Sequence, residues 1–308
     1  MKIIFAGTPD FAVPSLQMLL TSGHEVCAVY TQPDRPAGRG RHLQPSPVKQ
    51  VAVTADIPVL QPLNFKADAD LQQLRRFNAD LMVVVAYGII LPQTVLDAPK
   101  WGCLNVHGSL LPRWRGAAPI QRAVMAGDGE TGVTIIKLVL KLDAGDMLHK
   151  EVCTISEADT SSDLHDRLAA LGAVGLGKVL AQLEQGTVHA EPQDEALVTY
   201  AEKLDKSEAL IDWTQAATAI ACKVRGLNAW PVAQTLYRGE MLRIWRAEAL
   251  EDNTGTALPG AVVCAHKQLD IMTGNGKLRL LEVQLPGGKR MAVEAFLNAH
   301  DLNGVILG

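Results

Sequence analysis

Asn105 and His107 are the two polar side chains in the segment Cys103-Leu104-Asn105-Val106-His107, which otherwise reads as a strand. Side chains alternate faces along a strand, so Asn105 and His107 share one face while Leu104 and Val106 take the other. Gly108 ends the run. An amide and an imidazole are thereby offered together at the carboxyl end of a strand, the edge at which open α/β sheets bind ligands. A carboxylate comes from Leu142-Asp143-Ala144-Gly145-Asp146-Met147, a loop after the strand read over 132–140. An Asp beside a His fixes the tautomer of the ring. Amide, imidazole and carboxylate together meet the needs of acyl transfer to an amine: donors for a developing oxyanion, a charge partner, and a route for the proton that leaves the attacking amine. Taken singly, each has a plainer explanation. His107 alone reads as a hydrogen-bonded core residue closing a strand, and Asp143 alone as a turn former ahead of Gly145.

A second kind of chemistry is suggested by the connection from Thr31 to Lys49, which carries Arg35, Arg39, Arg41 and Lys49 against the single acid Asp34. Connections between sheet elements are usually about 4–6 residues long. This one is far longer, and reads as a mobile basic flap suited to phosphates or to the acceptor stem of an RNA. A solvated loop is the plainer alternative.

These groups need a sheet to position them, and the first half of the chain supplies its pattern. Lys2–Ala6 reads as a strand. Thr8 is placed to cap a following helix, with Pro9 at its first position and Gly23 after its end. Strands follow at Glu25–Tyr30, Leu81–Ala86, Gly102–His107 and Gly132–Leu140, and a helix at Asp163–Gln185. The Leu, Val and Met run of Leu81–Ala86 has the composition of a strand covered on both faces. The alternation predicts a doubly wound, mostly parallel α/β sheet over residues 1–189. Residues 190–208 are polar and read as a linker. Residues 209–308 open with a helix at Ile211–Leu227 and change after Trp230-Pro231 to short β segments. Among them Asn275-Gly276 is a hairpin signal. The expected second domain is a small OB-like β-barrel.

Composition narrows the function classes. The chain has 308 residues, 48% hydrophobic and 20% charged, with a net charge of -4. A large core is available, and any nucleic-acid contact must use a local basic patch rather than the overall field. The longest apolar run, Leu81–Pro92, is shorter than the roughly 20 residues of a membrane span. The opening residues read directly as strand, with no targeting pattern. Five scattered cysteines without a Cys-x-x-Cys pair, and eight histidines without ligand spacing, predict no disulfide framework and no metal. A cytoplasmic, monomeric protein without membrane partners is expected. The first turn, Ala6-Gly7-Thr8-Pro9-Asp10, is not the Gly-x-Gly-x-x-Gly of dinucleotide sites, and no Walker motif occurs. NAD and ATP chemistry are both disfavoured.

In order and spacing, several segments resemble the methionyl-tRNA formyltransferase family, within the folate-dependent formyltransferases. They are Phe5-Ala6-Gly7-Thr8-Pro9, the Arg-rich flap, Val85-Ala86-Tyr87-Gly88, Asn105–Pro112 with Arg113–Ile120, Leu142–Met147, Thr199–Leu204, Ile211-Asp212-Trp213 and Trp230-Pro231. The resemblance implies a Rossmann-like, formyltransferase-type first domain and an OB-like second one. It implies formyl transfer from 10-formyltetrahydrofolate, a co-substrate, to the α-amine of initiator methionyl-tRNA for translation initiation, without a metal. Asn105, His107 and Asp143 would be catalytic. Ser109, Leu110, Leu111 and Pro112, with Tyr87, Gly88 and Leu91, would hold the folate. Arg39, flanked by Arg35 and Arg41, would orient the tRNA end. The barrel would add contacts through side chains such as Arg225, Arg243 and Arg246. The Asn-x-His core and the Leu-Asp-x-Gly loop belong to all folate formyltransferases, so another amine remains open as acceptor. A non-catalytic tRNA-binding protein that keeps the fold also remains open.

Overall fold

The computed structural model describes residues 1–37, 42–250, 257–264 and 267–308. Contacts divide the chain into two compact units. One comprises residues 1–116, 131–154 and 165–201, the other 117–130, 155–164 and 202–308.

The first unit is built on a seven-stranded sheet. Its strands are β1 (Lys2–Gly7), β2 (Glu25–Tyr30), β3 (Val59–Leu60), β4 (Leu81–Val85), β5 (Cys103–His107), β6 (Glu130–Lys137) and β7 (Met147–Thr154), in the order β7-β6-β5-β4-β1-β2-β3. Pairing is parallel from β3 through to β5, and β6 runs antiparallel to β5. This is the mostly parallel sheet that the sequence pattern predicts. All five residues of β4 are buried, as befits a central strand covered on both faces. The helices α1 (Val13–Thr21), α2 (Pro47–Thr54) and α3 (Asp68–Arg76) alternate with the strands. The long helix α4 (Ser161–Gln185) lies with Gly172 against Val106, on the face of β5 opposite Asn105 and His107.

Two local expectations fail. Thr8 does not cap a helix. A 3-10 turn, Asp10–Ala12, intervenes, and α1 starts at Val13 with Pro14 in its first turn. The Thr8 hydroxyl instead donates to the Tyr87 carbonyl (3.0 Å) and accepts from the Gln32 amide (3.3 Å). The flap is also shorter than read, because Ser46 caps α2 by accepting from the Lys49 amide at 3.1 Å, which draws Lys49 into that helix. What remains is a hairpin, Arg35–Ala37 against His42–Gln44. At Thr8, partners at the sheet edge distant in sequence outweigh the local signal; in the flap, a local cap does the shortening.

The second unit carries an antiparallel sheet of β8 (Ala233–Tyr237), β9 (Glu240–Leu250), β10 (Val262–Cys264), β11 (Leu269–Met272) and β12 (Lys277–Gln284), in the order β8-β9-β12-β11-β10, with β13 (Met291–Ala292) on β12. It curls into a half-barrel. Residues 305–308 run along its gap: Leu307 donates to the Gly260 carbonyl (2.8 Å) beside β10, and Gly308 donates to Leu236 of β8 (3.2 Å). Asn275-Gly276 makes the expected hairpin between β11 and β12. The helix read over 211–227 is shorter, α5 (Ala217–Gly226), because the Asp212 carboxylate accepts from the Thr214 amide and hydroxyl and holds a turn there. The helix Pro119–Met125 packs against α5, and Ala118, Ile211, Trp213, Val224, Ile244, Leu280 and Phe296 share one core. Among the described residues no helix is long and apolar enough to cross a membrane.

Trp213 is buried and donates its indole N–H to Thr235 Oγ1 at 3.0 Å. Trp213→Ala is expected to destabilise this unit by about 3–5 kcal/mol, read by urea denaturation. A loss below ~1 kcal/mol would remove Trp213 from the core that holds the half-barrel together.

Candidate active site

Asn105 and His107 stand on the face of the sheet that carries Ala6, Met82, Val84, Cys103 and the Tyr87–Leu96 segment. His107 is the last residue of β5 and is buried; Asn105 is half-buried. Among the described residues the Asn105 side chain has no hydrogen-bond partner, so its amide stays available. The imidazole is held on one side. Its Nε2 lies 2.8 Å from the Trp114 carbonyl oxygen. A carbonyl only accepts, so this nitrogen carries the hydrogen and donates. The remaining nitrogen, Nδ1, faces Asp143 Oδ2 at 3.6 Å. That separation is an ion-pair distance, longer than a direct hydrogen bond.

Asp143 reaches this position by an indirect route. Because β6 is antiparallel to β5, it passes His107 at Thr134 and its loop leaves the sheet three residues beyond, with Lys137 opposite Leu104. The loop must return roughly 10 Å along β5. Several contacts hold it there. The Gly116 amide donates to Asp143 Oδ2 at 2.9 Å, and Asp143 itself sits at φ 46°. Gly116 adopts φ 120°, and a Cβ on it would stand 2.7 Å from the Ala201 carbonyl oxygen. At the loop's base a Cβ on Gly145 would lie 1.6 Å from the Lys137 carbonyl oxygen, so only glycine permits that closure. Gln193 donates to the main-chain carbonyls of Asp143 (2.7 Å) and Gly145 (2.8 Å). Its own carbonyl accepts from Arg115 Nε at 2.9 Å. Arg115 is completely buried and also donates to Glu195 (3.0 Å), which in turn accepts from Lys141 of the loop (2.7 Å). Lys141 and then Arg115 hold the Glu195 carboxyl below the usual range.

Two family models match the chain: formyl transferase over residues 1–180, and formyl transferase, C-terminal domain, over residues 203–301. The methionyl-tRNA formyltransferase of Methylococcus capsulatus is 55% identical over 308 residues, covering all of both chains. That of Hahella chejuensis is 53% identical over 299 residues, covering 97% of this chain and 94% of the other. This chain belongs to the methionyl-tRNA formyltransferase family. Its fold is shared by an N-formyltransferase from Helicobacter canadensis solved with folinic acid and dTDP-3-aminofucose. That match has a TM-score of 0.70 at 18% identity and covers 91% of this chain and 98% of the other.

In this member of the methionyl-tRNA formyltransferase family the other expected site residues are placed as follows. Ser109 is fully buried and its hydroxyl donates to the Arg113 carbonyl (2.7 Å), closing the turn that follows His107. Leu111 is buried, while Leu110 and Pro112 are half-buried. Tyr87 and Leu91 belong to the core under the sheet face, Gly88 is exposed at φ 79°, and Ile90 between them stands free. Burial pushes the Tyr87 phenol up. Arg35 is exposed and donates to Gln32 Oε1 at 2.7 Å, and Gln32 Nε2 donates to the Tyr87 carbonyl at 3.0 Å. The flap base is thus tied to the Tyr87 segment. Lys49 and Gln61 hold Asp34 there and lower its carboxyl. Arg39 and Arg41 lie outside the described residues. Arg225 is spent on the Ser156 and Asp159 carbonyls, whereas Arg243 and Arg246 are exposed.

Three residues that shape the site had no local signal: Arg115, Gln193 and Thr134. Thr134 stands opposite His107 on β6, fully buried. Its hydroxyl donates to the Ser109 carbonyl (2.7 Å) and accepts from the Leu111 amide (3.1 Å). Thr134→Val keeps the shape and strands both groups in a dry interior. We expect a loss of about 1–3 kcal/mol in unfolding free energy, measured by chemical denaturation. An unchanged midpoint would show that the Ser109–Pro112 turn does not rely on this hydroxyl.

Proposed function

We propose that this chain transfers the formyl group of 10-formyltetrahydrofolate to the α-amine of initiator methionyl-tRNA, preparing it for translation initiation. Family membership over the whole chain supports the reading, and relatives more than half identical to it bear that name. One observation carries the chemistry: the Asn105 amide, without a hydrogen-bond partner among the described residues, and a His107 ring with its Nδ1 toward Asp143 stand together at the carboxyl end of β5.

The methionyl amine attacks the formyl carbon, and negative charge builds on the formyl oxygen. Asn105 donates its amide N–H to that oxygen. His107, anchored through Nε2 on Trp114, uses Nδ1 as its working nitrogen and donates from there in its protonated form. Asp143 supports the positive ring and orders a water that relays the amine proton toward the folate nitrogen. The carbon–nitrogen bond to the folate then breaks, leaving tetrahydrofolate and formyl-methionyl-tRNA. The folate lies along Ser109–Pro112 and Tyr87–Leu91. The flap, with Arg35, Arg39 and Arg41, receives the acceptor end of the tRNA. Free thiols at Cys27, Cys103, Cys153 and Cys222 support work in the reducing cytoplasm.

His107→Ala is expected to fold normally and to lower kcat roughly a hundred- to a thousandfold, the usual effect of losing one oxyanion donor. Turnover near wild type would refute the role. The acceptor is tested by offering formyl-folate with charged initiator tRNA, charged elongator tRNA, glycinamide ribonucleotide or an amino sugar nucleotide, and asking which amine becomes blocked. Formylation confined to the initiator tRNA is the expected result.

A further inference from the structure

β6 closes only the base of the Asp143 loop, where the Lys137 amide donates to the Asp146 carbonyl at 3.0 Å. The strand delivers the loop at the far end of β5, and the return to His107 depends on groups outside the loop. Two of the main-chain carbonyls that fix the return, those of Asp143 and Gly145, are taken by the same amide, Gln193 Nε2. This orientation of the Gln193 amide is unambiguous, because its oxygen faces Arg115, which only donates, and its nitrogen faces carbonyls, which only accept. Gln193 is in turn positioned from both sides. Met147 and Glu191 exchange backbone hydrogen bonds of 2.8 and 2.9 Å, which lays the connector against the start of β7. Arg115, buried and next in sequence to the Gly116 amide that binds Asp143 Oδ2, holds the other end of the Gln193 side chain.

We infer that Gln193, backed by Arg115, is a positioning residue of the reaction: its two donated hydrogen bonds set the place of the Asp143 carboxylate relative to His107. The inference rests on the role given above to Asp143. Gln193 touches no reacting atom. Its loss leaves the folate surface intact and lets the carboxylate drift, and a displacement of about 1 Å in a catalytic group is worth up to a hundredfold in rate.

The test compares Gln193→Ala, Gln193→Glu and Asp143→Asn, with the double variant Gln193→Ala/Asp143→Asn, in the full-length protein. Asn tolerates the left-handed backbone at position 143, so Asp143→Asn removes charge without breaking the turn. Glu at 193 keeps an acceptor for Arg115 but loses both donors to the loop. Both Gln193 variants are expected to lower kcat about ten- to a hundredfold, with the dissociation constant for formyl-folate, from fluorescence titration, changed less than about twofold. In the Asp143→Asn background, Gln193→Ala is expected to cost almost nothing more, because the two residues act as one unit. Wild-type turnover by Gln193→Glu would overturn the inference, since Gln193 would then serve only to satisfy Arg115. So would rate losses that multiply in the double variant. Should Gln193→Ala fail to fold, Gln193→Glu and its double variant with Asp143→Asn carry the same comparison. Wild-type turnover by Asp143→Asn alone would identify the failure as that of the catalytic reading itself.

Discussion

A carboxylate held 3.6 Å from one imidazole nitrogen, while a main-chain carbonyl occupies the other, is the constraint around which the first unit is arranged. The ring is fixed by its own strand and by the turn that follows it. The strand before the carboxylate closes only the base of the loop that carries it, through the Lys137 amide and the Asp146 carbonyl. The carboxylate is held by the Gly116 amide and by Gln193, contributed by two stretches of chain on either side of it in sequence. The pairing of Arg115-Gly116 with Tyr200-Ala201, an edge of only two residues, keeps one of these stretches in place. Two glycines allow the backbone approaches involved, and neither position tolerates a Cβ.

The sheet and the pair on β5 were legible because their signals are local. Alternation along five residues is enough to put Asn105 and His107 on one face, and an unbroken aliphatic run is enough to mark β4. Asp143 was legible as a candidate, yet the reason for its placement was not, because the antiparallel direction of β6 leaves no mark on the sequence of that strand. Residues 190–208 read as a linker because they are polar. Their polarity serves instead to bind the Asp143 loop and the Arg115 side chain, across separations of about 50 to 80 residues that no windowed pattern detects. Thr8 shows the same limit from the other side, where a local capping motif loses to partners brought in by the sheet.

The two faces of β5 divide the work. The Val106 side is packed by α4, whose Gly172 lets the helix come close. The Asn105 side keeps its polar groups toward a turn, a loop and the segment after β4. Rigid packing behind the strand and hydrogen-bonded loops in front of it are what a site needs when small displacements change rate. The flap base shares this economy, since the Tyr87 carbonyl accepts from Thr8 and Gln32 together and so links three strand exits at one oxygen.

The second unit is discontinuous in the chain, and this bears on biosynthesis. Ala118 shares its core with α5 and the strands beyond it, and the helix Pro119–Met125 packs against α5. A nascent chain emerging from the ribosome at about 5–20 residues per second therefore exposes that helix face for several seconds before its partners exist. The α5-facing side of that helix waits while the later strands of the first sheet are made. That interval is when chaperone capture or misassembly would compete with the native structure.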